Sequence, residues 1–115
     1  MAAYRLLGIE PRARETVATF ATDAAMLPVG ESDIELIAPT GNPHLERFLD
    51  RRGPGLHHIA LEVDHLDAAV QELTAAGAEL VADTSERGIE GRRVAFVHPR
   101  TTGGVLIELV ERAQD

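Results

Sequence analysis

The sequence predicts an α+β fold of two related βαβββ modules, the first of them lacking its opening strand and half its helix. Three observations carry that expectation. From residue 56 onward the apolar pattern runs strand, helix, strand, strand, strand. Leu7-Gly8-Ile9-Glu10 is matched by Ala76-Gly77-Ala78-Glu79, 69 positions later. Ile34-Glu35-Leu36 is matched by Ile107-Glu108-Leu109, 73 positions later. Two matches in order, at nearly one offset and both at element ends, mark a tandem repeat.

At 115 residues the chain has the length of one domain, read as an incomplete first module over 1–54 and a second module over 55–115. In the first, residues 2–7 read as a helical scrap stopped by Gly8, and 14–20 and 23–29 as extended segments. Gly30-Glu31-Ser32-Asp33 is a turn signal, and 34–38 is a short strand ended by Pro39. Leu45, Phe48 and Leu49 have helical spacing, which predicts a helix over 44–52 closed by Gly53-Pro54-Gly55. In the second module 56–63 is a strand, and Asp64 is expected to cap a helix whose apolar positions are Leu66, Ala69, Val70, Leu73 and Ala76. Gly77 ends it, and strands follow at 79–81, 93–98 and 105–110. A longer loop at 99–104, where the first copy has a tight turn at 28–33, accounts for the change of offset. The register sets Met1 against Val70, in mid-helix. A counterpart of His58 would therefore precede Met1, and the natural protein is expected to start earlier.

Composition removes whole classes of chemistry. The chain has no cysteine, so thiolate nucleophiles, disulfides and cysteine-held metals are excluded. All 11 basic residues are arginine, which excludes Schiff-base and P-loop lysines. Its serines, Ser32 and Ser85, lie in no G-x-S-x-G turn. A net charge of −8 argues against nucleic-acid binding. No apolar run approaches the roughly 20 residues that span a bilayer, and the first residues lack the pattern of a secretory signal. A soluble protein in the cytoplasm is expected. Carboxylate, histidine and metal chemistry remain.

Strand alternation places His57, Ile59, Leu61 and Val63 on one face, expected to pack on helices. His58 projects from the other with Leu56, Ala60 and Glu62, and the small Ala60 leaves room beside it. Glu108 lies between Leu106 and Val110, opposite the face of Val105, Ile107 and Leu109; Glu35 is likewise opposed to Ile34, Leu36 and Ala38. Singly, each reads as a half-exposed strand residue pointing at solvent. Together, two glutamates in repeat-equivalent places and a histidine on a nearby strand form a nitrogen and oxygen set suited to Mn²⁺, Co²⁺ or Zn²⁺. An unpaired charge in an apolar strand is otherwise costly. His57 is expected to pack or cap, His44 and His65 to be structural or exposed at helix starts, and His98 to line a pocket mouth.

The segment Gly55-Leu56-His57-His58-Ile59-Ala60, followed by Glu62-Val63-Asp64, resembles the strand-to-helix junction of methylmalonyl-CoA epimerases. So do Val94-Ala95-Phe96-Val97-His98-Pro99-Arg100 and the run from Gly103 to Glu111. Met26 to Gly30, Ile34-Glu35-Leu36 and Phe48-Leu49 are similar too, so the resemblance covers about residues 4–112. It implies a vicinal-oxygen-chelate (glyoxalase-like) fold, a homodimer, an acyl-CoA substrate and an isomerase acting through an enediolate. The implied cofactor is a divalent ion, Co²⁺ or Mn²⁺, on Glu35, His58 and Glu108 with a further histidine from the missing strand. Glu108 is the candidate acid/base. Arg92, Arg93 and Arg100 are candidate contacts for CoA phosphates, and read equally as surface arginines. Some family members carry an acid/base carboxylate at the position of Ala24, and a Gln-Gly turn at Phe20-Ala21; both are absent here. Three alternatives stay open: a lyase, dioxygenase or glyoxalase of the same fold, a non-catalytic binding protein, and a truncated fragment.

Overall fold

A computed structural model describes residues 2–81 and 87–113; Met1 and Ser85 lie outside them. The chain divides into two compact units, Met1–Gly53 and Pro54–Asp115. Among the described residues no helix is long and apolar enough to cross a membrane.

In the first unit a short helix α1 (Ala2–Arg5) precedes an antiparallel sheet of β1 (Ala13–Val17), β2 (Thr22–Val29) and β3 (Ser32–Pro39), in that order, and α2 (Pro43–Arg52) follows. The expected segment over 14–20 is strand only as far as Val17, where a 3₁₀ turn, Ala18–Phe20, takes over. Gly30 and Glu31 make a two-residue hairpin turn, tighter than expected, because Gly30 takes a φ of 61° that other residues resist. Leu27, fully buried, shares one sheet face with Ala25 and Leu36. The opposite face carries Glu15, Ala24, Met26, Glu35 and Ile37. Helix α2 packs on β3. Its cap is local: Asn42 Oδ1 accepts from the Leu45 amide at 3.0 Å, while Asn42 Nδ2 donates to the Phe20 carbonyl at 2.7 Å.

In the second unit β4 (His58–Val63), α3 (Leu66–Ala75), β5 (Val94–Val97) and β6 (Leu106–Glu111) form a sheet in the order β4-β6-β5. Strand β4 runs parallel to β6, and β5 antiparallel to it. Leu66, Ala95, Val97 and Leu109 make the core, with Val63, Val70 and Leu73 packed against them. The strand expected over 79–81 is reduced to one bridge, Leu80 with Val97. Two flanking bonds extend it: the Val81 amide donates to the Phe96 carbonyl at 2.9 Å, and the His98 amide to the Glu79 carbonyl at 2.7 Å.

Two expectations are corrected. Of the row His57, Ile59, Leu61 and Val63, Val63 packs under the helix, while Ile59 is 44% and Leu61 51% exposed. The reason is placement: β4 is an edge strand and α3 lies over β5 and β6. Nor does Asp64 cap α3. The N-cap is His65, whose side chain makes no capping bond, and the Leu66 amide donates instead to Glu111 Oε2 at 2.9 Å. A carboxylate from the end of β6 thus meets the positive end of the helix, while Asp64 Oδ1 lies 3.5 Å from Arg112 Nε.

The repeat is visible in backbone bonds. The amides of Leu7, Gly8 and Ile9 donate to the carbonyls of Tyr4, Arg5 and Tyr4 at 3.0, 2.9 and 3.1 Å. Those of Ala76, Gly77 and Ala78 donate to Leu73, Thr74 and Leu73 at 3.1, 3.1 and 2.9 Å, all 69 positions on. The Arg12 amide meets the Met26 carbonyl at 2.8 Å as that of Val81 meets Phe96. Glu35 then stands opposite Met26 on the next strand, and Glu108 opposite Phe96.

Candidate functional site

Parallel pairing of β4 with β6 sets His58 opposite Leu106 and Ala60 opposite Glu108, so all four side chains leave the same sheet face. His58 reaches diagonally past Ala60. Its Nε2 lies 3.1 Å from Glu108 Oε1, with the two side chains only 12% and 13% exposed. Two ligand atoms each about 2.1 Å from one ion, at right angles, stand about 3.0 Å apart, so this spacing and donor chemistry fit a divalent metal. On its other ring nitrogen, Nδ1, His58 meets Nδ1 of His57 at 3.0 Å. The two rings are nearly perpendicular, at 86°.

Glu35 belongs to the first unit. There it is half-buried on β3, on the face of Met26 and away from Ile34 and Leu36, as alternation predicts. Ala24, buried on β2, shares that face and stands between Glu15 on β1 and Ile37 on β3.

The three candidate arginines all have carboxylate partners. Arg92 donates through Nη2 to Glu62 Oε2 at 2.6 Å and through Nε to the Glu111 carbonyl at 2.9 Å. The Arg92 hydrogen bond, seconded by Arg112, holds the Glu62 carboxyl below its ordinary range. Arg93 donates to Asp67 Oδ1 at 2.6 Å, which raises its own pKa. Arg100 is the loosest, 72% exposed with its Nε 3.5 Å from Glu79 Oε2. Its amide donates to His98 Nδ1 at 3.0 Å, which fixes that half-buried ring. His44 and His65 are exposed at helix starts, and His44 Nδ1 accepts from Arg47 at 2.8 Å.

Sequence reasoning missed the pairing of His57 with His58. Alternation sends neighbouring strand residues to opposite faces, but β4 begins at His58 and the rule does not bind the residue before it. The usable signal was the position of Gly53-Pro54-Gly55 directly upstream, which keeps the approach to the strand irregular.

The pattern of the glyoxalase/bleomycin resistance protein/dioxygenase superfamily matches residues 1–96. The mitochondrial methylmalonyl-CoA epimerase of Dictyostelium discoideum is 41% identical over 69% of this chain, which spans about half (49%) of that protein. The crystal structure of methylmalonyl-CoA epimerase from Mycobacterium tuberculosis superposes with a TM-score of 0.91 at 37% identity, covering 98% of this chain and 77% of that one. A methylmalonyl-CoA epimerase solved with methylmalonyl-CoA and NH4+ gives 0.92 at 31% identity, covering 97% and 83%.

Proposed function

We propose that this chain, which belongs to the glyoxalase/bleomycin resistance protein/dioxygenase superfamily, is an isomerase of the methylmalonyl-CoA epimerase type. The observation that carries the reading is the half-buried contact of His58 with Glu108 at 3.1 Å, an imidazole nitrogen and a carboxylate on one sheet face. The α-proton of a 2-methylmalonyl thioester lies between two carbonyl groups, and its removal leaves an enediolate. Glu108 takes that proton from one face; inversion then requires a proton returned to the other. Oε1 of Glu108 faces His58, which leaves Oε2 for the proton.

Glu35, His58 and Glu108 are the residues that would hold a divalent ion, Co²⁺ or Mn²⁺, by their donor chemistry. When bound, such an ion supplies Lewis-acid stabilisation of the enediolate oxygens. Glu35 enters on its repeat equivalence to Glu108, since each stands opposite the residue, Met26 or Phe96, whose carbonyl accepts from the repeat-equivalent amide, Arg12 or Val81. Arg100 is the arginine most available to a CoA phosphate, because Arg92 and Arg93 must first leave Glu62 and Asp67. The reading includes a homodimer and a cytoplasmic location.

The test is proton exchange. Folded protein supplied with Co²⁺ and methylmalonyl-CoA in D₂O should replace the α-proton at least about 100-fold faster than buffer with Co²⁺ alone. Exchange at the buffer rate would overturn the reading. Ala24 favours a second one, a non-catalytic binding protein: a buried methyl group stands where some of the resembling enzymes carry a carboxylate. Saturable binding of the thioester without exchange would mark that case.

A further inference from the structure

We infer that His57 is a positioning residue for His58: with an ion in the site it accepts a hydrogen bond from His58 Nδ1–H and so keeps the Nε2 lone pair of His58 turned toward that ion, on the side of Glu108. The inference rests on the reading of His58 as a metal ligand. Two imidazole nitrogens 3.0 Å apart are stable only with one proton between them, since facing lone pairs repel and facing N–H groups clash. Which ring gives the proton follows from the other end of His58. Its Nε2 is the atom beside Glu108, at 3.1 Å, and a neutral imidazole that binds an ion through Nε2 carries its proton on Nδ1. His58 is therefore the donor and His57 Nδ1 the acceptor, so that His57 holds its own proton at Nε2.

This arrangement does what the distal nitrogen of a metal-bound histidine generally needs, a partner that fixes ring orientation and tautomer. Here the partner is the preceding residue. A 180° turn of the His58 ring would set carbon against both Glu108 and His57, so the two contacts hold the ring in one orientation together. Ala60, the neighbour of His58 on its own face, has no polar group to share that task.

Two measurements on the full chain test the inference. In the wild-type protein loaded with diamagnetic Zn²⁺, ¹⁵N NMR should find His57 unprotonated at Nδ1 and protonated at Nε2; a proton at His57 Nδ1 overturns the proposal. In Co²⁺ titrations, His57→Leu should weaken binding about 10- to 100-fold. His57→Asn, whose amide oxygen can accept the same bond, should recover most of that loss. Equal affinity in wild type and His57→Leu overturns the proposal, as does a His57→Asn variant as weak as His57→Leu. Should wild type bind neither Co²⁺ nor Zn²⁺, the metal reading fails and the inference falls with it, whereas ion binding with a proton at His57 Nδ1 overturns the inference alone.

Discussion

In Met1–Gly53 the strand that carries Glu35 is paired on one side, by β2; in Pro54–Asp115 the strand that carries Glu108 is central, with β5 on one side and β4 on the other. Both glutamates stand opposite a large side chain, Met26 or Phe96, through the same ladder of antiparallel bonds. What differs is the parallel neighbour. Strand β4, parallel to β6, delivers His58 to Glu108, whereas β3 has an antiparallel neighbour, β2. A parallel neighbour, not the antiparallel ladder the two units share, is thus what sets a nitrogen donor beside the carboxylate in the second unit.

The comparison can be broken at its largest in the cores. Leu66→Ala, at a fully buried position where α3 meets the sheet, should destabilise the protein by about 2–5 kcal/mol in urea unfolding. Leu27→Ala, fully buried in the other sheet, should cost a similar amount. A loss under about 1 kcal/mol at either would mean that its unit is not a packed core.

Next come the helix caps, one local and one remote. Glu111→Ala removes the acceptor of the Leu66 amide and a partner of Arg93, and should cost about 1–2 kcal/mol. Asn42→Ala removes a local cap and its bond to Phe20, and should cost about 1 kcal/mol. Asp64→Ala should be close to neutral in the same measurement, because Asp64 is exposed and does not cap.

A smaller effect of opposite sign is expected at Ala21, held at φ 47° and ψ 54° between the 3₁₀ turn and β2. An L-residue with a side chain is strained there, so Ala21→Gly should stabilise by about 0.5–1 kcal/mol, while Gly77→Ala at φ 100° should destabilise. The subtlest effect is acid-linked. Because Arg92 and Arg112 depress the Glu62 carboxyl below 4.5, its contribution to stability is present above pH 4.5 and is lost as pH falls through the lowered value. Unfolding midpoints of Glu62→Gln should therefore fall less steeply than those of wild type below pH 4.5.

Elements with a clear period were legible in the sequence: α2 and α3 from their helical spacing, β2 and β3 from the apolar strands around the hairpin, and the repeat from Gly8 and Gly77. The pattern also located His58 and Glu108 on the right strands and the right faces. What it missed depends on distant partners. The cap of α3 comes from a residue 45 positions from Leu66, and no local rule selects Glu111 over Asp64. Exposure of Ile59 and Leu61 follows from where α3 crosses the sheet. The shortened pairing at Leu80 follows from a single bridge to Val97. Ion pairing of Arg92 and Arg93 likewise required knowing that Glu62 and Asp67 come beside them.

Isothermal titration of Co²⁺ into wild type, His58→Ala, Glu108→Ala and Glu35→Ala, each shown by circular dichroism to be folded, tests the donor set most directly. One ion per chain is predicted for wild type, with affinity reduced at least about 100-fold by His58→Ala or Glu108→Ala, each removing a direct ligand, and also reduced by Glu35→Ala. Unchanged binding in both the His58→Ala and Glu108→Ala proteins would contradict the account.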